Sequence, residues 1–320
     1  MKRVDHRIGD QRVEGIPVPP GSMDRGPVEF DSRVARRQGD ILSIASTEVV
    51  TAPPTTTIIG AIKIMNSYGF RRLPIADAGT NRLLGFVTCV DIVDFLGGGI
   101  RHNLVRKKYE GNILAAINAE IREIMSTKVI SAPDTASVDE ALRIMYERNV
   151  GGLPIVDERS RIKAIVTEED FVEVVRSLDM DKTVREYMSP NVVTAPASMS
   201  IERTSRMIVQ KGFRRLPVIQ DGVLTGIITA SDIMKYMASG EAFSKIITGD
   251  IKEVMEQPIK SLIKRSLIMT DPRTRLKDAA NLMVEKDVGS LPVMEGGSMV
   301  GIITERDFLR ALAEHRGVAR

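Results

Sequence analysis

Four copies of Thr-x-x-Asp punctuate the chain: Thr88/Asp91, Thr167/Asp170, Thr229/Asp232 and Thr304/Asp307. Each follows an apolar run, as in GFVTCVD, AIVTEED, GIITASD and GIITERD. A threonine at the end of a strand with an aspartate three residues on is a helix start: the hydroxyl caps, and the carboxylate supports the first turn. The same geometry suits an anion. A helix N-terminus presents free N–H groups and the positive end of its dipole, and the hydroxyl adds one more hydrogen bond. An ionised aspartate is acceptor-only, so its two oxygens can receive the two neighbouring hydroxyls of a ribose 2′,3′-diol. Both readings stand, and one aspartate can serve both.

A second pattern supplies positive charge. GFRRLP occurs at 69–74 and again at 212–217, so Arg71-Arg72 and Arg214-Arg215 are equivalent pairs 143 residues apart. Guanidinium forks match phosphate bidentately and keep their charge at any physiological pH. Exposed strand-end charge is the alternative reading. The pairs are absent from the two intervening copies, NVGGLP and DVGSLP, where Gly151-Gly152 and Gly289-Ser290 stand instead. Small residues there leave room for the partner unit's arginines or for a ligand.

These residues sit in a fourfold repeat. Leu-Pro recurs at Leu73-Pro74, Leu153-Pro154, Leu216-Pro217 and Leu291-Pro292, each preceded by another proline (Pro53, Pro133, Pro196, Pro272) at 21, 21, 21 and 20 residues. The threonines follow the Leu-Pro prolines by 14, 13, 12 and 12 residues. Such self-similarity is the signature of a repeat architecture. Each unit reads strand-helix-strand-strand-helix. A β-branched run (EVVTA, KVISA, NVVTA, LIMTD) predicts the first strand, an amphipathic stretch such as SVDEALRIMYERN the first helix, and two apolar runs around a polar turn a hairpin. A unit of roughly 55 residues is marginal alone, so pairing is expected.

The units divide the chain into an N-terminal arm (1–40), repeat one (41–98), a basic linker (99–112), repeat two (113–178), repeat three (180–240) and repeat four (241–316). Repeat four carries an insertion near 257–265 with Lys260, Lys264 and Arg265. The Pro-, Gly- and charge-rich arm predicts an extended, partly disordered segment. The glycine run GGGIRHNLVRKKYEGN at 97–112 predicts a flexible linker, and its cations Arg101, Arg106, Lys107 and Lys108 a solvated face.

Composition excludes several functions. Net charge is +3 and aromatic residues are 4% with no Trp, which argues against nucleic-acid binding. The one cysteine, Cys89, precludes a disulfide framework or a cysteine zinc cluster, and fits a reducing, cytoplasmic setting. No apolar run is long enough for a membrane span, and MKRVDHRIGD lacks a secretory apolar region. The three histidines, His6, His102 and His315, lie outside the repeated motifs, and no metalloprotease, P-loop or nucleophile-elbow motif is present. No catalytic residue, catalytic cofactor or metal site is expected.

Together these motifs resemble cystathionine-β-synthase (CBS) domains over about residues 41–315. Unit two departs from the pattern, with Ala164 for the glycine and Glu168-Glu169 inside Thr-x-x-Asp, where extra carboxylates disfavour phosphate. The resemblance implies a mixed α+β fold of four repeats paired into two Bateman modules, arranged as a flat disc like the γ subunit of the AMP-activated protein kinase. It implies adenosine ligands in the clefts: ribose on Asp91, Asp170, Asp232 and Asp307, and phosphate on Thr88, Thr229, Thr304, Arg71, Arg72, Arg214 and Arg215. Adenine falls near Thr51, Ser131, Thr194 and Thr270. The function implied is a non-catalytic sensor of AMP, ADP or ATP, with a regulated protein as partner and self-association through module faces. A sensor of S-adenosylmethionine or a thioadenosine, and a protein-interaction scaffold, are the alternatives.

Overall fold

The computed structural model describes residues 41–239, 242, 252–263 and 267–319, all within the unit Gly39–Arg320. The N-terminal arm and the insertion's Lys264 and Arg265 lie outside the described residues.

Each repeat builds an amphipathic helix, an antiparallel hairpin and a second helix. Repeat one has α1 (Ile58–Tyr68), β1 (Arg72–Ala76), β2 (Leu83–Thr88) and α2 (Cys89–Val93). The connector holds α3 (His102–Lys108) and α4 (Ile113–Ile117). Repeat two has β3 (Ala132–Pro133), α5 (Val138–Glu147), β4 (Gly152–Val156), β5 (Ile162–Thr167) and α6 (Glu168–Ser177). After α7 (Val184–Tyr187), repeat three has β6 (Ala195–Pro196), α8 (Ile201–Lys211), β7 (Arg215–Gln220), β8 (Val223–Thr229) and α9 (Ala230–Met237). After α10 (Lys252–Met255), repeat four has α11 (Leu276–Glu285), β9 (Ser290–Glu295), β10 (Ser298–Thr304) and α12 (Glu305–His315).

Local chemistry sets these bounds. Thr57, Ser137 and Ser200 cap α1, α5 and α8 by accepting from the N–H three residues on. Gly69 (φ 72) and Gly212 (φ 66) end α1 and α8 in the left-handed region, where a Cβ is disfavoured. Asn149 (φ 52) and Asp287 (φ 50) take that conformation in repeats two and four. The glycine of GFRRLP is therefore the helix stop that turns the chain into the arginine strand. The hairpins of repeats three and four close through Asp221-Gly222 and Gly296-Gly297, positive in φ at both positions, as a type I′ turn requires.

The first strand is shorter than the β-branched runs predict. Only Ala132–Pro133 and Ala195–Pro196 form it in repeats two and three, parallel to the Leu-Pro strand. In repeats one and four it is a single bridge, Ala52 to Ile75 and Thr270 to Val293.

The connector 97–112, expected as a flexible linker, contains helical structure. Its glycines pass through a wide turn closed by the Asp94 side chain, which accepts from Arg101 N–H at 2.8 Å, and the chain then coils into α3. Its cations divide: Arg106, Lys107 and Lys108 are exposed as predicted, while Arg101 is half-buried.

Repeats exchange their leading segments. Ser46 bridges Ile165 of repeat two, and Ser126 bridges Phe86 of repeat one. In the other pair Ser189 bridges Ile302, and Pro258 bridges Ser200. Gly85 and Gly301 permit two of these crossings: a Cβ on Gly301 would lie 2.8 Å from Met188 Sδ and 3.0 Å from Ser189 O. The helices pack along the other diagonal. One apolar core joins repeats one and three (Ile62, Phe95, Ile208, Ile233), and a second joins two and four (Leu142, Phe171, Phe308, Leu312).

Candidate functional site

The four Thr-x-x-Asp motifs all start helices. In each, the aspartate Oδ2 accepts from the threonine N–H and hydroxyl, for example at 2.8 and 2.6 Å from Thr88 to Asp91 and at 2.9 and 2.6 Å from Thr229 to Asp232. The same contacts recur in Thr167/Asp170 and Thr304/Asp307. Capping thus uses one carboxylate oxygen. Asp91 Oδ1 meets Arg101 Nη1 at 2.9 Å, and Asp307 Oδ1 meets Arg310 Nη2 at 3.6 Å. Burial pushes the Asp170 and Asp307 carboxyls up from their ordinary range.

Hairpin register brings the arginines to the threonines. Arg72 pairs with Thr88 across β1–β2, and Arg215 with Thr229 across β7–β8. The equivalent partners in repeats two and four are Gly152 and Ser290. The space left by the small residues is filled by the arginines of the other repeats. A Cβ on Gly152 would lie 2.7 Å from Arg72 Cδ, and one on Gly289 2.8 Å from Arg215 Nη2.

The four arginines converge on two carboxylates that sequence reasoning missed as a pair. Arg71 Nη1 donates to both oxygens of Glu305 at 2.6 Å, and Arg215 Nη2 lies 3.6 Å from Glu305 Oε2. Arg214 Nη2 donates to Glu168 Oε1 at 3.0 Å and its Nη1 pairs with Oε2; Arg72 Nη2 lies 3.7 Å from Glu168 Oε2, and Arg306 Nη1 3.7 Å from Oε1. Glu168 and Glu305 directly follow Thr167 and Thr304, where repeats one and three have Cys89 and Ala230. The sequence carried a signal for this: arginine pairs occupy odd repeats and Thr-Glu occupies even ones.

Burial opposes charge throughout the cluster, and the carboxylates decide which way each group moves. Burial, with Arg214 alongside, pulls Arg72 down to about 10, and burial also lowers Arg215. Arg71 and Arg214 are buried too, but Glu305 and Glu168 respectively outweigh that and raise them. Glu305 is buried, yet Arg71 and Arg215 hold its carboxyl below the usual range. Burial, then Glu305, pushes Glu169 up. Every arginine stays charged near neutrality.

Beside this cluster lies a cavity of ≈ 580 Å³. Its walls include Arg71, Arg72, Thr88, Arg214, Arg215, Thr229 and Asp232 of the expected residues, and add Lys128, Ser231 and Lys235. Ser126, Val129, Ile130, Leu267 and Ile268 add a largely apolar stretch to the wall. Asp91, Asp170, Asp307 and Thr304 are not on this wall, nor are Thr51, Ser131, Thr194 and Thr270. Cys89 lines the cavity but is buried, and burial pushes its thiol up to about 11. Among the described residues no group of three or more His, Cys, Asp or Glu could hold a metal ion. No helix among them is long and apolar enough to cross a membrane.

The CBS domain family model matches residues 39–98, 121–177, 184–239 and 251–314. The chain is 39% identical over 276 residues to the uncharacterised protein MJ1225 of Methanocaldococcus jannaschii, covering 85% of this chain and 99% of that one. It is 26% identical over 270 residues to an uncharacterised 33.4 kDa protein of Thermofilum pendens, covering 84% and 90%. The crystal structure of MJ1225, described as a proposed archaeal homologue of γ-AMPK, superposes with a TM-score of 0.82 over 86% of this chain and 100% of that one. An uncharacterised conserved protein from Pyrococcus horikoshii, 17% identical, shares the fold at a TM-score of 0.54 over 85% of this chain and 99% of its own. With four matched repeats, exchanged segments and paired sheets, the chain belongs to the CBS-domain family.

Proposed function

We propose that the protein is a non-catalytic regulatory module that senses AMP, ADP or ATP in the cavity where the arginine pairs meet the N-terminus of α9. The observation that carries this reading is convergence: Asp232, Thr88, Thr229 and all four arginines share one cavity wall. The start of α9 supplies N–H groups and a dipole for an anion. Asp232 supplies the carboxylate for a ribose diol, and the guanidinia supply bidentate donors for phosphate. Kinship with MJ1225, itself described as a proposed homologue of γ-AMPK, points the same way. The cationic wall disfavours S-adenosylmethionine, whose sulfonium carries positive charge.

The test is a thermal-shift panel of AMP, ADP, ATP, adenosine and S-adenosylmethionine on the full chain. A ligand that binds only the folded state raises the midpoint by mass action. The phosphorylated ligands are expected to raise it, and Asp232→Asn to abolish the shift. No response to any adenosine ligand would remove this function.

A further inference from the structure

The feature left unexplained by nucleotide binding is the pair of buried glutamates. Their side chains are 1% exposed for Glu168 and 4% for Glu305. Buried carboxylates persist when paired, and these are paired to arginines from other repeats. The arginines differ in access. Arg72 and Arg215 side chains are 13% and 12% exposed, whereas Arg71 and Arg214 are 34% and 35% exposed. All four reach the cavity wall, so Arg71 and Arg214 each face a carboxylate on one side and the cavity on the other.

The charges do not balance. Five guanidinia, those of Arg71, Arg72, Arg214, Arg215 and Arg306, are tied to two glutamates by ion pairs. One more dianion would bring the cluster closer to neutrality. It would have to share or take the donors that Glu168 and Glu305 now hold, against like-charge repulsion from both.

We propose that Glu168 and Glu305 are resident anions that stand in for nucleotide phosphate on Arg71 and Arg214, and so set how strongly the cavity selects phosphorylated over unphosphorylated adenosine. The inference rests on the adenosine reading above. It also links the clefts to the second core. Glu168 opens α6 and Glu305 opens α12, two helices packed together in the core of repeats two and four. A phosphate that draws Arg214 from Glu168 removes a tie between repeat three and α6.

The experiment is calorimetric titration of the full chain with AMP and with adenosine, in wild type, Glu168→Gln and Glu305→Gln. Glutamine keeps the side-chain size and removes the charge. Each variant is expected to bind AMP about tenfold more tightly while its adenosine affinity changes less than about twofold. An AMP affinity that is unchanged or weaker would show that the glutamates only position the arginines, and would overturn the proposal. Equal gains for both ligands would overturn it as well, since phosphate would not be the cause. If the wild type binds adenosine but shows no added affinity for AMP, the glutamine variants must gain it, and their failure to do so overturns the resident-anion idea while adenosine recognition stands. If it binds neither, the nucleotide reading fails first. Should the glutamine variants unfold, Glu305→Asp keeps the charge but withdraws it by one methylene. Its AMP-to-adenosine affinity ratio is expected to rise about threefold, and a fall overturns the proposal.

Discussion

Gly289 shows how closely the arginine cluster is built. A Cβ there would lie 2.6 Å from Glu305 Oε1 and 2.8 Å from Arg215 Nη2, both deep in the cluster. Gly289→Ala is therefore expected to destabilise the fold by about 1–3 kcal/mol, measured by urea unfolding. A loss under about 0.5 kcal/mol would mean that the cluster opens freely. Glu305 gives a pH signature. Its folded pKa lies below the unfolded value of about 4.3, because Arg71 and Arg215 outweigh its burial. Its contribution is thus complete above that value and is lost as pH falls through the folded pKa. The stability gap between wild type and Glu305→Gln is expected to shrink as pH falls below about 4.3, and a constant gap would contradict the ion pairs. At this scale the sequence revealed residues that the fold brings together, since Arg71, Arg72, Arg214, Arg215, Thr88, Thr229 and Asp232 line one cavity. It did not reveal that carboxylates already hold those arginines. Glu168 was visible only as an anomaly of repeat two, because its partners lie in other repeats and pairing at such range leaves no local pattern.

The elements were legible wherever a local rule governs them. Helix caps, glycine stops and type I′ turns are set within a few residues, and the threonine starts fall where the motifs put them. The first strands were over-read. Their β-branched residues run extended, but an edge with one short parallel neighbour leaves little ladder to form. Composition suggested a flexible connector, whereas several side chains tie it down, Asp94, Arg101, Lys108 and Tyr109 among them. Arg101 joins Asp91 at 2.9 Å, Asp94 at 3.2 Å and the Ile124 carbonyl at 3.2 Å. Arg101→Ala is expected to cost about 1–2 kcal/mol. It should also speed hydrogen exchange in α3 more than in α5, which is remote from these contacts. Equal exchange in both helices would show that Arg101 does not hold the connector.

Across the whole molecule, two kinds of pairing cross each other. Isolated β-bridges join repeats one with two and three with four, while apolar cores join one with three and two with four. Neither pair can bury its surface alone. The full chain is expected to unfold in one transition by far-ultraviolet circular dichroism and by tyrosine fluorescence. The half-chain 41–180 should be stable only as a self-associated species, seen by sedimentation. Two resolved transitions in the full chain, or a stable monomeric half, would contradict shared cores. The repeat count was readable from spacing and the paired modules from the family resemblance, whereas the diagonal cores were not, because every repeat has the same apolar pattern. The crossed architecture also has a history within each copy of the protein. Arg71 meets Glu305, 234 residues downstream. At the usual pace of translation those residues emerge roughly 10–50 s apart. For that interval the nascent chain carries guanidinia whose counter-charge has not yet been made, open to the polyanions of the ribosome and its messenger, and only the arrival of α12 withdraws them.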